Sequence, residues 1–146
     1  MTFDIKPFDA AHGAEVHGDN LSKPIDNETF GQIERAYNEY AVLLFRDQKI
    51  NEEQQLGFSR QFGKLEVHVL DQYLHPNHPE ILVVSNIKEG DRHIGIYDAG
   101  RYWHTDLSYM KRPSRGSLLY AIEVPHDDEG NPLGDTLYTS SSAAYD

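Results

Sequence analysis

The sequence predicts an α+β chain in which helices lead and short strands follow, built around an antiparallel sandwich or jelly roll. Three observations carry this expectation. Two stretches before residue 63 place apolar residues at helical spacing behind good N-caps. Beyond residue 65 the apolar runs become short, and Pro and Gly punctuate them. The chain has 146 residues, 38% of them apolar, so about two thirds of its unfolded surface can be buried in a core.

Taken in order, residues 14–18 (AEVHG) alternate and predict an edge strand. Asp26 or Asn27 caps a helix running to about Ala41, with Phe30, Ile33, Tyr37 and Tyr40 on one stripe. Residues 41–45 (AVLLF) read as a buried strand. Asn51 caps a second helix, and Gln54 three residues on completes a capping box. Leu56, Ser59 and Phe62 follow helical spacing, and Gly63 stops the helix. Short strands are expected at 66–70, 81–85, 94–97, 102–108, 116–122 and 135–139. Ser140 opens a last helix that has only its first turn before the sequence stops, which suggests a chain cut inside an element.

Composition excludes several classes. A formal net charge of −11 argues against nucleic acid and anionic membrane surfaces, which need a basic footprint. With no Cys, there is no disulfide framework, thiolate metal site or Cys nucleophile. The N-terminal MTFDIKPFD lacks the apolar run of a signal peptide, and no stretch approaches 18 apolar residues. A soluble, cytoplasmic protein is expected. Its charge is uneven. Between Lys88 and Arg115 six basic residues (Lys88, Arg92, Arg101, Lys111, Arg112 and Arg115) outnumber four acids, so that window is +2 in an acidic chain. Such a patch suits a small anion, although chance clustering on a loop gives the same count.

Eight His and 24 acids would produce about one His-x-acid triplet by chance, and there are four. Gly18 and Pro79 put His17/Asp19 and His78/Glu80 in turns, while His126/Asp128 sits in the acidic loop Pro125–Gly130. Only His104-Thr-Asp106 lies in an apolar, aromatic run, Tyr102–Tyr109. On a strand, residues i and i+2 share a face, so both side chains can reach one ion, and His with carboxylate suits non-haem Fe(II). An Arg partner or a plain His–Asp hydrogen bond would also satisfy a carboxylate in such a run.

The run Trp103-His-Thr-Asp-Leu-Ser-Tyr109 resembles the metal-binding strand of the taurine dioxygenase (TauD/TfdA) family of Fe(II)/2-oxoglutarate-dependent dioxygenases. Four further segments resemble that family in the same order: Gly13–Gly18, Ala41–Gln48, Phe58–Leu65, and Gly134–Ser140 followed by Ala143-Ala-Tyr145. The resemblance implies a double-stranded β-helix, that is, a jelly roll with N-terminal flanking helices. It also implies oxidative decarboxylation of 2-oxoglutarate to succinate, coupled through O2 to hydroxylation of a small-molecule substrate. Transferred residue by residue, it makes His104 and Asp106 two of three iron ligands and Thr136 a contact of the 2-oxoglutarate carboxylate. His68 corresponds to a histidine near the substrate pocket, and Asn86 and Tyr102 flank the same region. Two ligands on one strand and one elsewhere leave positions for a chelating cosubstrate and O2.

Leu133-Gly134 stands where the family has Gly-Gly. The family's distal His ligand and its 2-oxoglutarate-pairing Arg lie beyond the threonine segment. Residues 1–146 are therefore expected to be the N-terminal part of a single dioxygenase domain, with the jelly roll incomplete. His126 is not expected to replace the distal ligand. Two other readings compete. One is a truncated, non-catalytic jelly roll that binds a small anion or a partner and covers its open edges by homo-oligomerisation. The other is a mononuclear zinc hydrolase, which equally lacks a third ligand.

Overall fold

A computed structural model describes residues 3–145. It mixes helix and sheet and divides into two compact units, Met1–Gly63 with Val124–Asp146, and Lys64–Glu123.

The first unit holds a three-stranded sheet, β1 (Asp4–Pro7), β2 (Ala14–His17) and β3 (Leu43–Phe45), in the order β1-β2-β3. β1 pairs antiparallel with β2, and β3 lies parallel to it on the other side. The AEVHG segment is thus the central strand and not an edge. The actual edge is the short, polar DIKP strand, whose Pro7 cannot donate to a ladder and suits an outer position. β2 buries Ala14 and Val16 and leaves Glu15 and His17 half-exposed, the period of two expected of a strand.

Between β2 and β3 runs α1 (Asn27–Tyr40). Asp26 is its N-cap, accepting hydrogen bonds from the Glu28 and Thr29 amides and the Thr29 hydroxyl, each at 2.9 Å. These bonds hold the Asp26 carboxyl below the usual carboxylate range, the Thr29 amide first. A depressed folded-state pKa stabilises the fold above the unfolded value of 3.8, and the contribution disappears as pH falls through the folded value. Asp26→Asn keeps an acceptor but cannot titrate. Its melting temperature should therefore fall less steeply than wild type below pH 3.8. Thermal melting against pH checks this, and parallel wild-type and variant curves would contradict it.

α1 ends at Ala41, whose φ of 63° breaks the helical path while its N–H still reaches the Tyr37 carbonyl. α2 (Glu52–Ser59) starts with the expected capping box: Asn51 accepts from the Gln54 amide at 3.0 Å, and Gln54 accepts from the Asn51 amide at 2.8 Å. A 3-10 turn (Arg60–Phe62) follows and stops at Gly63, where φ is 140°. The core gathers on these elements. Leu21, Ile33 and Phe58 form its buried centre, with Phe30, Leu43, Phe45, Ile50 and Phe62 packed against it. Edge-on ring contacts link Phe45–Phe58, Phe58–Phe62 and Phe30–Phe62 at 5.6, 5.5 and 4.8 Å. Near the C-terminus α3 (Ser141–Tyr145) begins where expected, with the Ser140 hydroxyl accepting from the Ala143 amide at 3.2 Å.

The second unit carries two small antiparallel pairs: β4 (Leu74–His75) with β5 (His78–Leu82), and β6 (Lys88–Glu89) with β7 (Arg92–His93). A parallel bridge, Val84 to Ile96, extends the contact between residues 83–85 and 94–96. Gly95 permits that approach, because a Cβ there would stand 2.7 Å from the Val83 carbonyl oxygen and 2.8 Å from the Ser85 nitrogen.

Several expected strands are absent. Residues 66–70, 102–108, 116–122 and 135–139 are irregular or turn, and 81–85 is strand only as far as Leu82. A strand requires a neighbour, since an isolated one leaves its N–H and C=O groups unpaired. Among the described residues, no strand ladder forms on 66–70, 102–108, 116–122 or 135–139. Their apolar side chains stay exposed: Tyr102 is 84%, Trp103 68%, Ile122 89% and Leu137 70% exposed. By contrast, among the described residues every buried apolar core residue, from Ala14 to Phe58, lies in the first unit.

Candidate metal centre

His104 and Asp106 lie in the second unit on irregular chain at the start of a turn, not on the expected strand. Leu107 causes the bend. Its φ of 51° lies in the left-handed region, and the Met110 amide closes the turn onto the Leu107 carbonyl at 3.0 Å. A non-glycine residue held there costs on the order of 1–3 kcal/mol.

The two side chains nevertheless meet. His104 Nε2 is 3.1 Å from Asp106 Oδ1, with both side chains about half exposed. His104 Nδ1 lies 2.7 Å from the Tyr102 carbonyl oxygen, a contact in which only the nitrogen can donate. That contact first, and the Asp106 charge second, raise the His104 pKa above its ordinary 6.5. With Nδ1 committed to Tyr102, Nε2 is the nitrogen that faces the carboxylate. The other carboxylate oxygen, Oδ2, accepts from the Ser117 hydroxyl at 2.6 Å.

This geometry fits a metal ion. Two donors about 2.1 Å from an ion and at right angles are about 3.0 Å apart, close to the 3.1 Å observed. Imidazole nitrogen with carboxylate oxygen is a donor set that Fe(II) accepts. The contact equally satisfies a plain His–Asp hydrogen bond. Among the described residues no cluster of three or more His, Asp or Glu side chains could hold an ion, so the pair supplies two donors.

The other expected site residues are less closely engaged. His68 is half-buried, and its Nδ1 accepts from the Leu70 amide at 3.1 Å. Asn86 and Tyr102 are exposed, and Tyr102 enters the site through its carbonyl. Thr136 is exposed on irregular chain in the first unit. Of the basic window, Arg92 donates to the Gln72 carbonyl at 3.0 Å. His126 lies in a turn ordered by Asp127, which accepts from the Glu129 and Asn131 amides, and it bridges to Pro132. A groove of about 520 Å³ lies in the first unit, lined by Leu21, Pro24, Ile25, Gln54, Phe58 and Gln61 among others. It contains none of the candidate residues. Ser117 was not among the residues that the sequence singled out. The one available sign was a hydroxyl residue opening the otherwise apolar run Ser117–Ile122.

Comparison with known proteins leads first to a class. Pentalenolactone F synthase of Streptomyces arenae is 38% identical over 98% of this chain and 48% of its own length. The (S)-phenoxypropionate/alpha-ketoglutarate-dioxygenase of Sphingobium herbicidovorans is 32% identical over 99% of this chain and 47% of its own length. The alpha-ketoglutarate-dependent 2,4-dichlorophenoxyacetate dioxygenase of Cupriavidus pinatubonensis is 29% identical over all of this chain and 53% of its own. A crystal structure of a taurine dioxygenase from Burkholderia xenovorans superposes with a TM-score of 0.50 at 34% identity, covering 53% of this chain and 28% of that one. The class that these relatives' names give is that of the alpha-ketoglutarate-dependent dioxygenases. The chain belongs to the taurine catabolism dioxygenase TauD, TfdA family, whose model matches residues 4–146. It spans about half the length of the curated relatives it matches.

Proposed function

We propose that the whole protein is an Fe(II)- and 2-oxoglutarate-dependent dioxygenase that hydroxylates a small anionic organic substrate. One oxygen atom of O2 enters succinate as CO2 leaves 2-oxoglutarate, and the other enters the hydroxylated product. The observation that carries this reading is the 3.1 Å His104–Asp106 pair in a chain of this family. Residues 1–146 are then part of a single dioxygenase domain whose finished fold is the double-stranded β-helix. The third iron ligand and the Arg that pairs the far carboxylate of 2-oxoglutarate come from the rest of the protein.

In this reading His104 Nε2 and Asp106 Oδ1 hold the iron, which when bound supplies the redox and Lewis-acid chemistry that activates O2. The Tyr102 carbonyl fixes the His104 ring so that its second nitrogen is the donor. The Thr136 hydroxyl binds a 2-oxoglutarate carboxylate. His68, Asn86 and Tyr102 line the substrate side. An anionic substrate accords with the +2 window between Lys88 and Arg115 and with two of the relatives, named for a phenoxypropionate and a phenoxyacetate. A cytoplasmic location and a homo-oligomer belong to the same reading. The net charge of −11 weighs against nucleic acid or anionic membranes as partners, and among the described residues no helix is long and apolar enough to cross a membrane.

Thr136→Ala in the full-length gene product tests the cosubstrate assignment. The apparent KM for 2-oxoglutarate should rise by roughly tenfold, the loss of one charge-assisted hydrogen bond. The KM for the hydroxylated substrate should move less. The reverse order would remove Thr136 from the cosubstrate site.

A further inference from the structure

We propose that Ser117 is a positioning residue that assigns the two oxygens of Asp106 to different tasks. The inference rests on the iron-centre reading above. Asp106 is the only carboxylate of the pair, and its oxygens are not equivalent. Oδ1 faces His104 Nε2 at 3.1 Å, while Oδ2 takes the Ser117 hydroxyl at 2.6 Å. A hydroxyl-to-carboxylate contact of that length is in the range of the stronger, charge-assisted hydrogen bonds.

The consequence follows from carboxylate chemistry. A free carboxylate can chelate an ion through both oxygens and occupy two coordination positions. One whose Oδ2 already accepts a short hydrogen bond offers Oδ1 alone, and its plane is fixed. Dioxygen chemistry with a chelating cosubstrate needs three open positions, so a one-oxygen Asp106 protects one of them. Both Asp106 and Ser117 are exposed, and they stand 11 residues apart. The bond therefore also ties the Asp106–Tyr109 turn to the run that begins at Ser117. Tyr102 acts in the same way on the partner ligand through the His104 ring. Each donor of the pair thus has one outer contact that orients it, the arrangement that tunes metal sites generally.

The test uses the full-length gene product with Co(II) in place of Fe(II), read by equilibrium binding and by the Co(II) ligand-field spectrum. Ser117→Ala should weaken Co(II) binding by roughly 10–100-fold and alter the spectrum as the carboxylate is freed to chelate. Ser117→Thr keeps the hydroxyl and should restore both. Wild-type affinity and spectrum in Ser117→Ala, or no rescue by a folded Ser117→Thr, would overturn the proposal. Asp106→Ala separates the two levels of the argument. If it binds Co(II) like wild type, the iron-centre reading fails and this inference fails with it. If it loses Co(II) while Ser117→Ala does not, only the role of Ser117 falls.

Discussion

Asp106→Ala in the full-length gene product should abolish Fe(II) binding and reduce 2-oxoglutarate turnover to background. The loss should exceed the roughly 10–100-fold typical of changes outside the ligand set, because one of the two donors in the 3.1 Å pair is removed outright. His104→Ala should do the same. Neither change should cost much stability, since both side chains are about half exposed and surface substitutions usually shift stability by about 0.5 kcal/mol or less. Metal content after Fe(II) loading under anaerobic conditions, with succinate release in the same samples, is the measurement. Unchanged succinate release would sink the assignment of both residues.

Phe58→Ala should have the largest effect on folding. Phe58 is 4% exposed at the centre of the buried cluster, and its ring meets those of Phe45 and Phe62. Truncating a buried Phe costs about 3–5 kcal/mol, against a total stability of about 5–15 kcal/mol for a typical domain. Urea denaturation should show the midpoint falling accordingly. A loss below about 1 kcal/mol would mean that the first unit does not depend on this cluster. Set beside Asp106→Ala, the two variants separate folding from chemistry, one losing stability and the other losing metal.

How much was legible in the sequence depended on whether the signal was local. Asp26 and the Asn51/Gln54 box are local chemistry, and both caps sit where the residue types put them. Phe58 escaped the sequence reading for a physical reason. α2 buries Leu56 and Phe58, which are two residues apart and so lie on nearly opposite sides of the helix. A search for one apolar stripe finds only one side. β2 was mistaken for an edge because its outer neighbour, DIKP, is too short and polar to read as a strand. The segments 102–108 and 116–122 carry strand-like composition, yet composition does not supply a pairing partner. Strand pairing is non-local, and among the described residues these segments have none. The His104–Asp106 contact was anticipated through strand geometry. It arises instead at the Leu107 turn, so the meeting of the two side chains was foreseen and the backbone that brings them together was not. Ser117 lay 11 residues from its partner in an apolar run, and nothing in the spacing pointed from one to the other.

In the proposed function, His104 and Asp106 hold an iron ion on which 2-oxoglutarate binds. Calorimetric titration of 2-oxoglutarate into the full-length gene product, without O2 and with Mn(II) standing in for Fe(II), tests it most directly and needs no knowledge of the hydroxylated substrate. Binding should appear only when Mn(II) is present and should vanish in His104→Ala. Equal 2-oxoglutarate affinity with and without metal, or undiminished metal-dependent binding in His104→Ala, would contradict it.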